Sequence, residues 1–546
     1  MHERGRAIES EVTPLKLESD SLHFEINPSR NKPIGYIRNS YRKDGKVKHQ
    51  TVAKIHGVSL GQLQNMKAAF DGKTIAIGEL VLTEGREYGA SALLFGLAKK
   101  LGLDKIIYSR NEPWVRCALA MIIGRIVYQG SKLALSRAPE ISCLWEICDV
   151  TGQEVDVDEH CYEPMDELLG RQHSIQKKLA AKHLTEGSVI LYDITSSYLE
   201  GEYEGSDLGA FGYNRDKKRG KKQVVIALIC NKEGCPIAVE VFKGNTADCT
   251  TVQSKIAEIR DSYNITNFVF VGDRGMLTRK NIDACGDIPN ITALTHAAMK
   301  KLCEEKEVQL SLFDQGTGTE VTLPEEPNVR YILRNNPIRG ARDKKTRMSL
   351  IEITEEKLNE VAIPKKKADD KTLAARAAKV FCKYKTEKYF FWEIADGRIV
   401  YSRKKEVIAN EEKYDGLYVI RSNAPSDILD TLEVVEAYKS LINVEQAFRD
   451  MKTVQLEIRP VYHKTDARIK AHVFICMLAY YLLWHMNKAL SGFYKENAKA
   501  YAHGHVIEVM KALQKCKMTM GDIEVPAYII AQPTNAQKKI QELVLA

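Results

Sequence analysis

The sequence predicts an α/β core split by a β-rich insertion, with a hairpin and a helical region before it and further helices after it. Three observations predict this. At Gly187 the texture changes from helical periodicity to runs of apolar β-formers. Two of those runs, VILY before Asp193 and FVFVG before Asp273, end in an acid. A charge-rich stretch then separates the second acid from one more buried-strand run, DGLYVIRSN at 415–423.

The elements justify this in order. Residues 1–30 are polar and read as poorly ordered. Ile34 to Ile55 reads as a β-hairpin turning at Asp44-Gly45, within an N-terminal segment of 1–87. Apolar positions three and four apart in LLFGLAKKLGL and CALAMIIGRIV make roughly 88–150 helical, within a region of 88–186. The core opens over 187–300 in the order β–β–β–α–β–α–β. Residues 301–411, with VRYILR, KYFFWEIA and GRIVYSR, read as the β-rich insertion. The core resumes over 412–490, with a long helix from about Ser426 to Lys452 and another over 466–487. The last region, 491–546, reads as helical, notably 498–520.

Composition narrows the function. A chain of 546 residues is expected to form several domains. The longest apolar stretch, Val473 to Trp484, is shorter than the roughly 20 residues of a membrane span and reads as a buried helix, with no membrane partner. The charged start, Met1-His2-Glu3-Arg4, lacks the apolar run of a signal peptide, so a cytoplasmic location is expected. The 12 cysteines read as free thiols in a reducing compartment. The spacings Cys143/Cys148 and Cys230/Cys235 are wider than most zinc-ligand pairs. A net charge of +8 is modest, but RDKKRGKK at 215–222, RDKKTR at 342–347 and Lys365–Lys367 concentrate it. Such runs are either solvated loops or, beside a site that acts on phosphate, DNA contacts.

The two strand-end acids carry the chemistry. Carboxylates converging from neighbouring strands repel unless a cation lies between them, and Mg²⁺ suits oxygen ligands. Two such ions would serve phosphodiester displacement. Taken singly, either Asp reads equally as a turn or helix cap. The third acid comes from helical spacing: Tyr438, Glu445 and Lys452 lie seven apart and share one face, with Arg449 one turn after Glu445. A solvated face with ordinary ion pairs is the competing reading.

These residues together resemble the bacterial insertion-sequence transposases of the DDE class, whose catalytic domain has an RNase H-like fold. That family carries Tyr-x2-Arg-x3-Glu-x6-Lys around its third acid; here Tyr438, Glu445 and Lys452 match and Leu441 stands in place of the Arg. Asp193-Ile194-Thr195, Gly212-Tyr213-Asn214 with Asp216, Gln223, GNTAD at 244–248 and Asp273-Arg274-Gly275 also fit, as do Arg459-Pro460 and RIKAHVF at 468–474. The likeness covers roughly 187–295 and 412–487, and extends more weakly to Arg125 and Ser131-Lys132. It implies Asp193, Asp273 and Glu445 as catalytic ligands of two Mg²⁺ or Mn²⁺ ions. It also implies transposon-end and target DNA as substrates, with 88–186 as a DNA-binding region, and a homodimer on DNA associated with the nucleoid, with 491–546 as a place for dimer contacts. Arg215, Lys217, Lys218, Arg219, Lys221 and Lys222, with Tyr438, Arg449 and Lys452, become expected DNA contacts. With Leu441 lacking charge, a DNA hairpin intermediate does not follow from the resemblance.

Gln309–Phe313 (QLSLF) resembles the peptide by which bacterial proteins bind the DNA sliding clamp, with Gln309, Leu310, Leu312 and Phe313 as partner contacts. A short strand with Leu310 and Phe313 turned inward is the alternative. The expected activity is cleavage and strand transfer of element ends. A structure-specific nuclease on the same fold, or an inactive DNA-binding relic, are the alternatives.

Overall fold

The computed structural model describes residues 22–28, 32–43, 45–71, 80–150, 154–216, 218–247, 250–306, 308–313, 318–362, 369–497, 501, 503–520 and 523–546. The chain divides into two compact units, Met1–Thr83 with Lys517–Ile529, and Glu84–Cys516 with Ile530–Ala546.

The first unit holds an antiparallel sheet of β1 (Leu22–Asn27), β2 (Ile34–Lys43) and β3 (Lys46–Ile55), with helix α1 (Leu60–Phe70) against β1. The hairpin of β2 and β3 has the expected register, with Gly45 at φ +71° in its turn; Asp44 lies outside the described residues. Over Leu22–Asn27 the expectation of poor order is corrected, since Phe24 turns inward beside Leu63 and gives this strand an apolar partner; residues 1–21, 29 and 30 lie outside the described residues. Ser59 and Gln62 form a capping box that starts α1.

The second unit begins with helices, among them α2 (Gly89–Lys100), α3 (Pro113–Val127) and α4 (Gln172–His183). Its sheet contains β4 (Ser188–Tyr198), β5 (Gln223–Asn231), β6 (Pro236–Lys243), β7 (Phe268–Gly272), β8 (Asn290–Ala293), β9 (Thr319–Leu323) and β10 (Glu326–Asn335). α5 (Val252–Asp261) lies between β6 and β7. α6 (Pro337–Ala362), α7 (Asp370–Tyr384) and the hairpin of β11 (Phe390–Ala395) and β12 (Arg398–Arg403) follow. The chain returns to the sheet as β13 (Leu417–Ser422) and continues through α8 (Thr431–Lys439), α9 (Leu441–Arg449), α10 (Asp466–Ala489), α11 (His503–Lys511) and α12 (Asn535–Leu545). The strand order is β9-β10-β13-β8-β7-β4-β5-β6.

Strand periodicity sorts the core into two layers. Val189 and Leu191 of β4, Val224, Ile226 and Leu228 of β5, and Val269 and Val271 of β7 face a cluster that includes α3, α9 and α10. The alternate residues Ile190, Tyr192, Val225, Phe268 and Phe270 face the cluster of α5. The sheet is thus covered by helices on both sides, which is why its strands read as continuous apolar runs. Helix α10 is long and apolar enough to cross a membrane by length and composition, yet 83% of its apolar window is buried inside this unit.

Three expectations need correction. The insertion is mainly helical: α6 and α7 pack on each other and on β12, while VRYILR belongs to β10 of the core sheet, paired with β13. The long helix after β13 breaks at Ser440, whose hydroxyl donates to the Ala437 carbonyl at 2.6 Å while Asn443 N–H donates to Ser440 O at 2.8 Å, one residue short of helical register. Past Lys511 the chain is extended over Gln514–Met520 rather than helical. The C-terminal helices α11 and α12 pack against α2; a Cβ at Gly89 would meet Met510 O at 2.3 Å, so glycine permits that approach.

Candidate active site

β4 and β7 run parallel with Tyr192 opposite Gly272, so the next residues of the two strands are Asp193 and Asp273. Asp193 follows Val189 and Leu191 on the sheet face covered by α9, and α9 lies against β4. Leu441, Val444, Ala447 and Phe448 turn α9 toward the core and leave Glu445 on its open side. Asp193, Asp273 and Glu445 consequently line one cleft of about 700 Å³. Backbone N–H groups of Ile194 and Arg274 each donate at 2.8 Å to the carboxylate before them, Asp193 and Asp273 respectively.

Burial pushes the Asp193 carboxyl up to about 7; Asp273 and Glu445 push the same way, while the Ile194 N–H and Arg215 oppose them. An all-oxygen set of three acids around one cleft, two of them acting to keep Asp193 protonated, is relieved by a hard divalent cation, so these residues fit such an ion. Among the described residues, the trio of His, Cys or acid side chains whose ligand atoms all lie within 4.8 Å is a different one, His183, Cys235 and His485.

Arg215 and Tyr438 line the cleft as well. Burial, reinforced by Asp273, raises the Tyr438 phenol to about 12, so it stays a protonated hydrogen-bond donor at neutral pH. Leu441 also lines the cleft but is buried among apolar neighbours. Three cations with no contact role expected from the sequence border the same space: Arg274 after β7, Arg339 in the first turn of α6, and Lys439 at the end of α8. Arg339 is placed firmly. Its N–H donates to the Asn336 side chain at 3.1 Å, and Gly340 and Gly416 bring α6 close to the start of β13. Arg347 makes paired bonds of 2.7 and 2.6 Å to Asp415. The signal in the sequence was Asn336-Pro337, a helix start that puts Arg339 in the first turn.

The remaining expected contacts separate into several groups. Lys452 is buried, with Nζ 2.7 Å from Asp216 and 3.1 Å from Thr195, so it ties the turn after α9 to β4 and to the Gly212–Asp216 loop. Arg449 is exposed on α9 and does not border the cleft. Lys217 lies outside the described residues. Lys218, 5.8 Å from the Tyr198 ring centroid, and Arg219 are exposed. Lys221 pairs with Glu200, and Lys222 donates to Tyr203 O at 2.9 Å; these two hold the loop. At Gln309–Phe313, Phe313 is buried with Met299, Tyr331 and Leu333 and Leu310 packs alongside, while Gln309 and Leu312 are exposed. Leu310 and Phe313 thus turn inward as in the alternative, but Leu310–Leu312 forms a 3-10 turn rather than the short strand expected there.

The scattered family-like pieces meet in space. A Cβ at Gly212 would lie 2.2 Å from Gly244 O, and one at Gly244 would lie 2.0 Å from Gln223 O, while Gln223 Nε2 donates to Gly244 O at 2.7 Å. Arg125 of α3 donates to Leu456 O at 2.6 Å, bracing the segment after α9.

Asp193 is not at the end of its strand as expected, since β4 continues through it to Tyr198; only the parallel pairing with β7 stops beside it, and Asp273 directly follows β7. A helix-covered sheet with these two acids side by side, and a third on a helix packed against β4, defines an RNase H-like core. The sequence model of the transposase DDE domain family matches residues 185–482, and the chain belongs to that family. Its members are metal-dependent enzymes that act on DNA. No curated protein matches the chain.

Proposed function

We propose that the chain is the transposase of an insertion sequence, cutting DNA at the element's ends and joining those ends to target DNA. The observation that carries this reading is the convergence of Asp193, Asp273 and Glu445 on one cleft. These three would hold two Mg²⁺ or Mn²⁺ ions, which supply activation of the attacking oxygen and stabilisation of the leaving one. Asp193 stands within β4, paired with Leu228 of β5, and Asp273 directly follows β7, so the sheet supports both backbones. Arg215, Arg274 and Arg339 supply positive charge for the phosphate backbone, and Tyr438 a neutral donor. Lys218 and Arg219 extend that charge along the loop after β4. In this reading the protein works in the nucleoid of the cytoplasm, as a homodimer that holds two DNA ends.

The test uses DNA carrying the element's terminal repeats. Asp193→Asn, Asp273→Asn and Glu445→Gln should each abolish Mg²⁺-dependent cleavage while end binding persists. Near-normal cleavage by any of them would remove that residue from the site. Pre-cut ends then separate the transposase from a nuclease on the same core: joining to a target supports the first, and hydrolysis alone the second.

A further inference from the structure

Outside the cleft, the described residues hold one more gathering of ligand-type side chains. His183 ends α4, Cys235 precedes β6, and His485 lies near the end of α10. Their ligand atoms all fall within 4.8 Å of one another. A tetrahedral ion with bonds of 2.0–2.3 Å would set such atoms about 3.3–3.8 Å apart, so only a small contraction is needed. Cys235 is fully buried. The Nε2 of His485 is also buried and has no hydrogen-bond partner, an uncompensated polar atom in a ring packed at 4.5 Å from Tyr481 and 4.8 Å from Trp484. His183 is oriented by the Tyr481 hydroxyl, 2.8 Å from its Nε2, which leaves Nδ1 as its remaining donor.

We propose that His183, Cys235 and His485 form a structural metal site for a borderline-soft divalent ion, with Zn²⁺ the fitting choice. Two nitrogens and a sulfur, with no carboxylate among them, disfavour Mg²⁺ and suit zinc. Binding forms two Zn–N bonds and one Zn–S bond, and the thiol proton leaves to solvent. The ion would join three elements far apart in sequence, two of them flanking the sheet that carries Asp193.

The full chain, stripped of metal and returned to buffer with Zn²⁺ and excess Mg²⁺, should retain about one zinc per chain beyond anything bound in the catalytic cleft. Cys235→Ser and His485→Gln should each lower zinc affinity tenfold or more, whereas an Asp193→Asn, Glu445→Gln double variant should keep this zinc. Cobalt replacing zinc in the unmutated chain should give tetrahedral visible bands and a thiolate charge-transfer band. That spectrum decides the matter if the variants fail to fold. Absence of the thiolate band, or zinc binding indifferent to both Cys235→Ser and His485→Gln, would overturn the site.

Discussion

Lys452 Nζ lies 2.7 Å from Asp216 Oδ1, with both side chains withdrawn from solvent and Arg459 on the same oxygen. A lysine at this position reads from sequence as a phosphate contact, yet here its charge is committed inside the protein. Desolvation lowers its pKa, and Asp216 counters that shift. Breaking one partner of a buried pair costs about 3–5 kcal/mol. Lys452→Ala should fall at the low end, since Arg459 still compensates Asp216, and Asp216→Asn at the high end, since it strands two cations. Denaturant unfolding measures both. The salt dependence of DNA binding should not change for Lys452→Ala; a slope shallower by about one counterion would restore the phosphate role.

Arg339 is the cation we expect to act where Leu441 cannot. It borders the same cleft and acts electrostatically on Tyr438, and Asn336, Gly340 and the Arg347–Asp415 pair fix the turn that carries it. Arg339→Ala should reduce cleavage of element ends by roughly 10–100-fold, about 1.4–2.7 kcal/mol, with unfolding free energy changed by less than about 0.5 kcal/mol. Arg339→Lys should recover part of the loss, because charge returns without the planar fork. Normal cleavage by Arg339→Ala would leave Arg215 and Arg274 as the cleft's phosphate contacts.

The core was legible because its signals are local. Apolar runs ending in Asp193 and Asp273 mark strands, and their order matches the observed one through β8. The site's third acid was legible from seven-residue spacing, since Tyr438 and Glu445 still line one cleft despite the break at Ser440. Contacts between distant segments were not legible. Asp216 and Lys452 are 236 residues apart, and nothing in either neighbourhood announces the pair. The insertion misled for a related reason: VRYILR is a good strand, but which sheet it joins depends on β13, nearly a hundred residues later.

Gln309–Phe313 shows the same limit at a motif. Phe313 belongs to a cluster with Met299, Tyr331 and Leu333, whereas Leu312 is exposed. Phe313→Ala should destabilise the fold by about 3–5 kcal/mol, and Leu312→Ala by no more than about 0.5 kcal/mol. Thermal or denaturant melts of the two single variants test this. Equal and negligible effects would mean that Phe313 is available to a partner after all.

Lys132 supplies a dependence on pH. It is buried in the second unit near Arg125, and burial first, then the Arg125 charge, lowers its pKa from 10.5 to about 8. Below pH 8 the lysine is charged in both folded and unfolded chains, so the full cost of burying the charge is present. Between pH 8 and 10.5 the folded chain loses the proton first and the unfolded chain binds more protons, so stability rises with pH across that window. Above 10.5 both forms are neutral and the cost is gone. The shift corresponds to roughly 3 kcal/mol at one pKa unit per 1.36 kcal/mol. Lys132→Met, similar in volume and never charged, should therefore raise the unfolding free energy at pH 7 by up to about 3 kcal/mol, with the advantage shrinking toward pH 10.5. Urea titrations of both proteins at pH 7 and pH 10 read the difference directly. A Lys132→Met chain less stable than the unmutated one at pH 7 would mean that the ammonium is compensated inside the fold and that its charge is part of what holds Arg125 and its neighbours in place.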